Sequence, residues 1–334
     1  MAWHRSCLNV DCVDVLYVPN APASFLSVKS ALQLGIFFIA LIVIIKLAIT
    51  HHHHSNPIKT IAEFRKFISE IEKQPPWRSI AAKHLPIKGS LFCWVMTTPH
   101  NHATKAIAIN DTWIHECDHG QLFSSAPLQE SIPATAVFRN FSDERELLYW
   151  KTIYAFQYSW SQISKKFDWY LKADDDAYVF VDNMKHYLAK LNPNEAHYLG
   201  FQFRPYLKHG YNSGGVYVLS RAAVKLFVEK AYLNETICPF SEFEDVGIAQ
   251  CLSALGIYPH DTRDSAGRQR FSAYNFEEMF HGLKDILPEY VPSNMSSGYA
   301  SVSPELVTLH HALPSELRVV HLVHHHVRKY RVKP

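Results

Sequence analysis

Three consecutive aspartates, Asp174, Asp175 and Asp176, interrupt a run of strand-forming apolar residues in the sequence WYLKADDDAYVFV. The apolar runs on both sides predict that the triplet lies within buried structure, whereas an isolated acidic triplet would indicate a solvated turn. Buried carboxylates must be paired with positive charge or must coordinate a cation. One nearby lysine, Lys172, cannot neutralise three carboxylates, so the triplet predicts a site for a divalent cation.

The spacing of the triplet also favours a particular ligand. Asp174 and Asp176 lie two residues apart, so in an extended backbone their side chains point to the same face. This is the arrangement of Asp-x-Asp sites that hold a metal ion and a diphosphate. The cation stabilises the negative charge that develops on a departing nucleoside diphosphate. The triplet is therefore typical of an enzyme that transfers a sugar from a nucleotide, which also needs a general base for the acceptor hydroxyl.

Short apolar runs alternate with helix-like segments from residue 91 onward. Runs of strand formers occur in LFCWVMTT, ATAVF, WYLKA, HYLGF and GVYVL. Helical spacing of apolar residues occurs in ERELLYWKTIYAFQYSW and in NMKHYLAKL, for which Asp182 is a candidate cap. This alternation predicts an α/β domain with a largely parallel sheet. Sites in such sheets form at the carboxyl ends of strands, which is where the triplet lies.

The candidate general base lies in SEFEDVGIAQCLSALG, residues 241–256, which has helical spacing. Ser241 and Glu244 match the capping-box pattern, which gives Glu244 a structural role and leaves Asp245 as the freer carboxylate. Asp245 is therefore the candidate base. The alternative is that Asp245 only complements the dipole of the helix, because acidic residues in a first turn are favoured in any case.

A pair of glycines in YNSGGVYVLS is the third element of the candidate site. Gly214 and Gly215 open a strand-like run, where glycines permit close approach of the backbone to a ligand. A simple turn is the alternative. Ser220, at the end of the run, is the expected cap of the next helix.

The apolar run ALQLGIFFIALIVIIKLAI, residues 31–49, is long enough to cross a bilayer. It is long for the apolar core of a cleaved signal peptide, and 30 residues precede it, so an uncleaved signal-anchor is favoured over a signal peptide. Charges on the two sides of the run barely decide its orientation. The amphipathic stretch IAEFRKFISEIEK follows, after a histidine run at 51–54 that we interpret as a solvated linker.

Cysteines and glycosylation sequons indicate which side of the membrane the rest of the chain occupies. Four cysteines follow the apolar run, and of the three possible pairings we favour the short loops Cys93–Cys117 and Cys238–Cys251. Together with four Asn-x-Ser/Thr sequons, they favour an oxidising, lumenal compartment. The sequons begin at Asn110, Asn140, Asn234 and Asn294.

These features divide the chain into four regions. They are a cytosolic tail (1–30), a transmembrane signal-anchor (31–49), a stem (50–85) and a lumenal catalytic domain (86–330). The net charge of +2, without a dense basic block, excludes a nucleic-acid partner.

Taken in order, the motifs resemble those of the core 1 β1,3-galactosyltransferases, within the Fringe-like group of inverting β1,3-glycosyltransferases. The motifs that carry the resemblance are CWVMT, LYWKT, WYLKADDDAYV, YNSGGVYVLS, FEDVGIAQC, DTRDSAGRQRF and HLVHHHVRKY. The resemblance implies a GT-A fold, that is, a Rossmann-like mixed sheet flanked by helices. It also implies a single-pass type II protein of the Golgi membrane.

The reaction that the resemblance implies is transfer of galactose from UDP-galactose to the 3-hydroxyl of O-linked N-acetylgalactosamine (GalNAc). The configuration would invert in a single displacement, and Mn²⁺ would be the metal. The expected partners are UDP-galactose, glycoproteins that carry GalNAc, the membrane and a second copy of the chain in a homodimer.

The resemblance also implies roles for individual residues. Asp174 and Asp176 match the metal and diphosphate motif, and Asp176 is expected to be the direct ligand. His310, which by itself would be read as a surface histidine, matches a third metal ligand. Asp245 matches the base. The residues expected to bind the donor or acceptor are Thr97, Arg145, Lys151, Lys172, Asp174, Tyr211, Gly214, Gly215 and Glu244.

Three other functions are alternatives to this transferase. A Fringe-like transferase could use another donor or acceptor, and residues 286–307 lack the tryptophan and cysteines that relatives carry there. A non-catalytic, chaperone-type relative would be expected to lose the aspartate triplet, which this chain keeps. A phosphate-cleaving metalloenzyme would need a second cluster of histidine and aspartate close to the first, and the spacing indicates none.

Overall fold

The computed structural model describes residues 58–281, 289–291 and 297–327. The predicted cytosolic tail and transmembrane span, and the histidine run at 51–54, lie outside these ranges. None of the helices within them combines the length and apolar character needed to cross a bilayer. Residues from Pro57 onward form one compact unit.

A six-stranded mixed sheet lies at the centre of this unit. With the two strands of a separate ladder, the strands of the described residues are β1 (Gly89–Met96), β2 (His119–Phe123), β3 (Ala134–Thr135), β4 (Phe167–Asp174), β5 (Tyr178–Val179), β6 (Tyr198–Phe203), β7 (Tyr211–Ser220) and β8 (Thr308–Leu309). The order in the sheet is β3-β2-β1-β4-β7-β6, and β5 pairs with β8 in a separate two-stranded ladder. Neighbours from β3 to β4 are parallel, whereas β7 runs antiparallel to both β4 and β6.

Helices flank the sheet. The α-helices are α1 (Ile61–Ile71), α2 (Ile80–Lys83), α3 (Ile107–Asn110), α4 (Leu148–Tyr158), α5 (Val181–Leu188), α6 (Arg221–Leu226), α7 (Glu244–Ala254), α8 (Phe276–His281) and α9 (Pro314–His325). Short 3₁₀ helices lie at Pro99–Asn101, Trp113–Glu116, Arg145–Leu147 and Gly298–Ser301, and π-helical segments at His102–Ala106, Ser159–Ile163 and Phe227–Ala231. The α/β class with a parallel-rich sheet, predicted from the alternation of strands and helices, is confirmed.

Two local predictions from the sequence differ from the structure. Of ATAVF, only the first two residues form a strand. Asp182 does not cap α5, because the helix begins one residue earlier, after Phe180. The prediction that Ser220 caps the next helix is confirmed, since its hydroxyl accepts a hydrogen bond from the backbone N–H of Ala223.

Helix α1, predicted within the region assigned to the stem, packs against the core. Its apolar residues Ile61, Phe64, Ile68 and Ile71 are all buried. The ring of Phe64 stacks on that of Trp150 in α4, with 4.4 Å between the ring centroids. Complete burial of such apolar side chains stabilises a fold by about 2 kcal/mol each, so this helix is held by packing as well as by its N-terminal capping box.

Both predicted disulfides form. Cys93–Cys117 links β1 to the segment before β2, and Cys238–Cys251 links α7 to the loop that precedes it. Bridges that close loops of this length stabilise a fold by about 3 kcal/mol each. The second bridge bears on the site described below, because it holds the helix that begins with Glu244 and Asp245.

Candidate active site

The carboxyl end of β4 forms the floor of a cavity of about 250 Å³. Asp174 is the last residue of β4 and pairs in register with Met96 at the end of β1. On the other side of β4, strand β7 supplies Gly214 and Gly215. The residues that line the cavity are Met96, Arg145, Leu148, Lys172, Asp174, Phe203, Ser213, Gly214, Gly215, Glu242, Phe243, Glu244, Asp245, Ala273, Tyr274, His310 and His311.

The short β5–β8 ladder brings His310 to the aspartates. Tyr178 in β5 pairs with Leu309 in β8, and the backbone N–H of Ala312 donates to the carbonyl of Asp176 at 2.9 Å. The His310 Nε2 atom consequently lies 3.0 Å from Asp176 Oδ1 and 3.6 Å from Asp174 Oδ2. The three side chains expected to hold a metal thus offer ligand atoms that all lie within 4.8 Å of one another.

A turn, not an extended strand, makes the two aspartates converge. The backbone N–H of Ala177 donates to the carbonyl of Asp174 at 3.2 Å, so the chain reverses immediately after β4. The prediction that an extended backbone aligns these two side chains is therefore wrong. Asp174 and Asp176 nevertheless face the same histidine. The middle carboxylate, Asp175, turns away from His310.

Asp175 holds the loop that follows β1. Its Oδ2 atom accepts hydrogen bonds from the Thr97 hydroxyl at 2.7 Å and from Asn101 Nδ2 at 2.9 Å. Burial raises the pKa of Asp175, and these two hydrogen bonds oppose that rise. Thr97, predicted to bind the nucleotide, therefore lies next to the triplet and positions its central carboxylate.

Two lysines, rather than one, balance the triplet. Lys172 Nζ lies 2.6 Å from Asp174 Oδ1 and also donates to the carbonyl of Gly214. Lys105 Nζ lies 2.9 Å from Asp176 Oδ2 and 3.5 Å from Asp175 Oδ1. Sequence reasoning missed Lys105, which lies on a π-helical segment after β1, where no periodic pattern points toward the triplet.

Neighbouring charges shift the pKa values of Asp174, Asp176 and His310. Burial alone would raise the pKa of Asp174 and Asp176, but Lys172, Lys105 and His310 reverse this and hold both below the usual range. Burial alone would lower the pKa of His310, but its contacts with the two carboxylates raise it to about 9. The aspartates are thus ionised, and in the absence of a cation the imidazolium offsets part of their charge.

Two observations test whether these residues fit a divalent cation. The buried Asp176 Oδ1 lies 3.0 Å from His310 Nε2, so these two atoms already face each other. A cation that displaced the proton of this imidazole would bind both of them. A Cβ atom at Gly215 would lie 2.3 Å from His310 Nδ1, so only glycine leaves room for the imidazole. Two carboxylates and one imidazole in this cradle fit a divalent metal ion.

Glu244 and Asp245 line the cavity from the start of α7. The predicted capping box is wrong, because Phe243 is the N-cap and the Ser241 hydroxyl bonds to the backbone of Phe243 instead. Glu244 Oε1 accepts a hydrogen bond from the Tyr217 hydroxyl at 2.8 Å. Burial raises the pKa of Glu244 to about 7, against the opposing effect of Lys172.

Asp245 is the carboxylate that sequence reasoning selected as the base. Its Oδ1 atom accepts a hydrogen bond from the backbone N–H of Val246 at 2.9 Å. Burial raises the pKa of Asp245. A half-buried carboxylate with a raised pKa, in the same cavity as Asp174 and His310, has the properties required of a general base.

The other residues predicted to bind the donor or acceptor differ in how they relate to the cavity. Arg145 lines the cavity, and Tyr211 is buried at the start of β7, just before the glycine pair. Lys151 is buried and pairs with Asp143 at 2.7 Å, so its ammonium group is engaged outside the cavity lining. Its role in nucleotide binding stays a prediction.

An exposed aromatic pair stands at the rim near Asp245. The rings of Tyr206 and Phe243 are nearly parallel, with centroids 6.1 Å apart and an angle of 11° between their planes. Their exposed fractions are 64% and 54%. The Tyr206 hydroxyl is 2.6 Å from that of Tyr290, which fixes the orientation of the outer ring. Flat, accessible rings of this kind can stack on a sugar.

Comparison with known proteins places this arrangement in a family. A family model described as Fringe-like matches residues 88–261, a segment that includes the aspartate triplet and Asp245 and ends before His310. Glycoprotein-N-acetylgalactosamine 3-beta-galactosyltransferase 1 of Xenopus laevis is 32% identical over 273 residues, which cover 78% of this chain and 74% of that protein. A crystal structure of a glycosyltransferase involved in the glycosylation of the major capsid of PBCV-1 aligns with a TM-score of 0.36 and 14% identity, covering 69% of this chain and 100% of that one. That last likeness is too low to support any conclusion about this chain.

Proposed function

The chain belongs to the Fringe-like family of glycosyltransferases, and on that premise we propose that it transfers galactose from UDP-galactose to the 3-hydroxyl of O-linked GalNAc on glycoproteins. The name of the similar Xenopus protein supports this choice of sugar and acceptor. The observation that carries the proposal is the convergence of Asp174, Asp176 and His310, because Asp174 and His310 line the same cavity as Asp245.

In the proposed reaction, Asp174, Asp176 and His310 would hold Mn²⁺, and the ion would supply positive charge to stabilise the departing nucleoside diphosphate. The protein orients these ligands through contacts of its own. Lys172 fixes Asp174 and the carbonyl of Gly214, and Lys105 fixes Asp176.

Asp245 is the proposed general base. It would accept the proton of the acceptor 3-hydroxyl as that oxygen attacks the anomeric carbon of galactose from the face opposite the departing diphosphate, which inverts the configuration. Glu244, held by the Tyr217 hydroxyl, is placed to bind substrate beside it. A Cβ atom at Gly214 would lie 2.8 Å from Glu244 Oε2, so glycine keeps this carboxylate accessible.

The aromatic pair of Tyr206 and Phe243 is the proposed contact for the acceptor. It lies on the rim of the cavity on the side of Asp245 and is accessible from solvent. Aromatic faces stack on the apolar faces of sugar rings without needing a specific hydrogen-bond pattern. This assignment supplies an acceptor surface although residues 286–307 lack the tryptophan of relatives.

The finer features of the architecture and location are part of the same proposal. We propose a GT-A fold for the catalytic domain at 86–330, a signal-anchor at 31–49, and a lumenal position in the Golgi membrane as a type II protein that forms homodimers. Helix α1 lies within the region 50–85 assigned to the stem, but it packs on the core, so we propose that it belongs to the catalytic unit. The two disulfides support an oxidising compartment.

An assay of the full-length chain in membranes tests the proposed specificity. With Mn²⁺ and a GalNAc-serine acceptor, we expect transfer from UDP-galactose and formation of a β1,3 linkage, with little transfer from UDP-N-acetylglucosamine. Binding of UDP-galactose without transfer would overturn the acceptor assignment. Transfer from UDP-N-acetylglucosamine alone would instead identify a Fringe-like enzyme with another donor.

A further inference from the structure

A second group of metal-binding side chains lies outside the cavity, and we propose that it is a site for a divalent cation of the zinc class. It consists of Glu116, His321 and His325, whose ligand atoms all lie within 4.8 Å of one another. His325 Nε2 is 3.0 Å from Glu116 Oε1, and His321 Nδ1 is 3.7 Å from the same oxygen. The two imidazole rings lie side by side, with centroids 4.4 Å apart.

The helix α9 and a distant 3₁₀ helix build this zinc-class site together. His321 and His325 are four residues apart in α9, which places both on one face of the helix. Glu116 ends the 3₁₀ helix Trp113–Glu116, about 200 positions earlier in the chain. The intervening His324 faces a different partner, Asp182, at 3.0 Å. The convergence therefore comes from tertiary packing and not from the histidine-rich composition of the segment.

The three side chains are accessible to an ion. The side chains of Glu116, His321 and His325 are 27%, 22% and 32% exposed, so an ion can enter from solvent and a water molecule can complete its coordination.

The donor set distinguishes this site from the first one. Two imidazoles and one carboxylate, with room for water, match the ligands that zinc and similar transition-metal ions take in proteins. A set dominated by carboxylates, as at Asp174 and Asp176, suits harder ions such as Mn²⁺. The second site would therefore select a different cation from the same solution.

The position of the site indicates what the cation would do. Tyr178, two residues after Asp176, places its hydroxyl 3.1 Å from His321 Nδ1. Helix α9 begins at Pro314, shortly after His310. A cation shared by Glu116 and α9 would fasten this helix to the body of the domain and so support the segment that carries His310. We assign it a structural role, since none of its ligands lines the cavity.

Zinc-dependent thermal stability of the full-length chain tests the site. The experiment uses Asp176→Asn, which removes one of the three ligands of the first cluster and so weakens zinc binding there, and metal is removed beforehand with a chelator. We expect saturating zinc to raise the unfolding temperature by about 5 °C or more. Adding His325→Gln or His321→Gln should abolish the rise, whereas the matched control His326→Gln should retain it. The histidine run at 51–54 also offers imidazoles to zinc. Zinc that binds this linker equally in the folded and unfolded states does not raise the unfolding temperature.

The outcomes separate a specific site from other effects. The proposal would be overturned if zinc raised the unfolding temperature equally in the His321→Gln, His325→Gln and His326→Gln variants. It would also be overturned if zinc caused no rise in the Asp176→Asn parent, which carries no histidine substitution. Because a variant could fail by misfolding, His325→Gln is also made in the otherwise unchanged chain, where Mn²⁺-dependent sugar transfer should persist in zinc-free buffer. As a second readout, Co²⁺ should give the visible absorption of a site with nitrogen ligands, and the absorption should be lost in His325→Gln but not in His326→Gln.

Discussion

The two histidine–carboxylate clusters use the same kinds of ligand in opposite proportions. The first has two carboxylates and one imidazole, and its His310 side chain is only 12% exposed. The second has one carboxylate and two imidazoles, and its His325 side chain is 32% exposed. Lys105 and Lys172 bind the carboxylates of the first cluster, whereas Glu116 in the second forms ion pairs only with imidazoles within the part of the chain that the structure describes.

This difference separates a site that handles charge during a reaction from one that fastens parts of the fold. Two carboxylates held together carry excess negative charge, which the protein offsets with two ammonium groups and an imidazolium. An added cation there can meet a charged phosphate. At the second cluster the excess charge is smaller, and its three residues do not line the cavity of the first cluster. A cation there would act on stability.

The largest expected effect is that of Asp176→Asn on catalysis. Removing this carboxylate should lower the rate of galactose transfer by about 10⁴-fold, because several kcal/mol of charge stabilisation by the metal would be lost. The measurement is the initial rate at saturating UDP-galactose across a Mn²⁺ titration. Asp182→Asn, which removes an aspartate beside the second cluster, is the matched control and should retain the rate. Comparable losses in both variants would break the distinction between the clusters.

Asp245→Asn should have the next largest effect, a decrease in kcat of about 10³-fold, because the acceptor hydroxyl would lose its base. Binding of UDP-galactose and Mn²⁺ should change little, which distinguishes this variant from Asp176→Asn. The exposed Glu229→Gln is the control for loss of an acidic side chain. If Asp245→Asn weakened Mn²⁺ binding as much as Asp176→Asn does, Asp245 would belong to the metal site instead.

Glu244→Gln sharpens the comparison through pH, because burial raises the pKa of this half-buried carboxylate more than Lys172 lowers it. Burial raises its pKa from 4.5 to about 7, so between these values the folded state holds a proton that the unfolded state releases. The free energy of unfolding should therefore fall as pH rises through this window. Because the side chain is half-buried, we expect a contribution of about 2 kcal/mol rather than the full amount.

The measurement is chemical denaturation of the metal-free protein at pH 5 and pH 8. The decrease in the free energy of unfolding from pH 5 to pH 8 should be about 2 kcal/mol smaller in Glu244→Gln than in the unchanged chain. Glu242→Gln, which alters an exposed neighbour, should preserve the decrease. An identical pH dependence in Glu244→Gln and the unchanged chain would show that this carboxylate ionises normally.

Sequence patterns predicted the parts of the first cluster that lie on regular elements. The apolar run before Asp174 predicted β4, and its end predicted where the carboxylates lie. His310 could not be found this way, because the β5–β8 ladder that brings it to the triplet is only two residues long on each strand and has no periodic signal. Resemblance alone supplied that residue.

The second cluster was missed altogether, for a related reason. Helical spacing can show that His321 and His325 share a face, but it cannot show that Glu116 meets that face. The capping role predicted for Glu244 was wrong, because a capping box depends on the backbone at Ser241, where the chain instead turns back on Phe243. In each of these cases the deciding contact joins segments that local patterns do not connect.

The smallest expected effect concerns the connection between the clusters, which Tyr178→Phe tests. Loss of the hydroxyl removes its hydrogen bond to His321 Nδ1, which should cost about 1 kcal/mol of stability without zinc. The stabilisation by zinc should persist or increase, because the freed nitrogen is then available to the ion. Tyr299→Phe, at an 87% exposed ring, is the control. Loss of the zinc effect in Tyr178→Phe alone would mean that the hydroxyl positions His321 for binding, and the two clusters would then be coupled through β5 rather than independent.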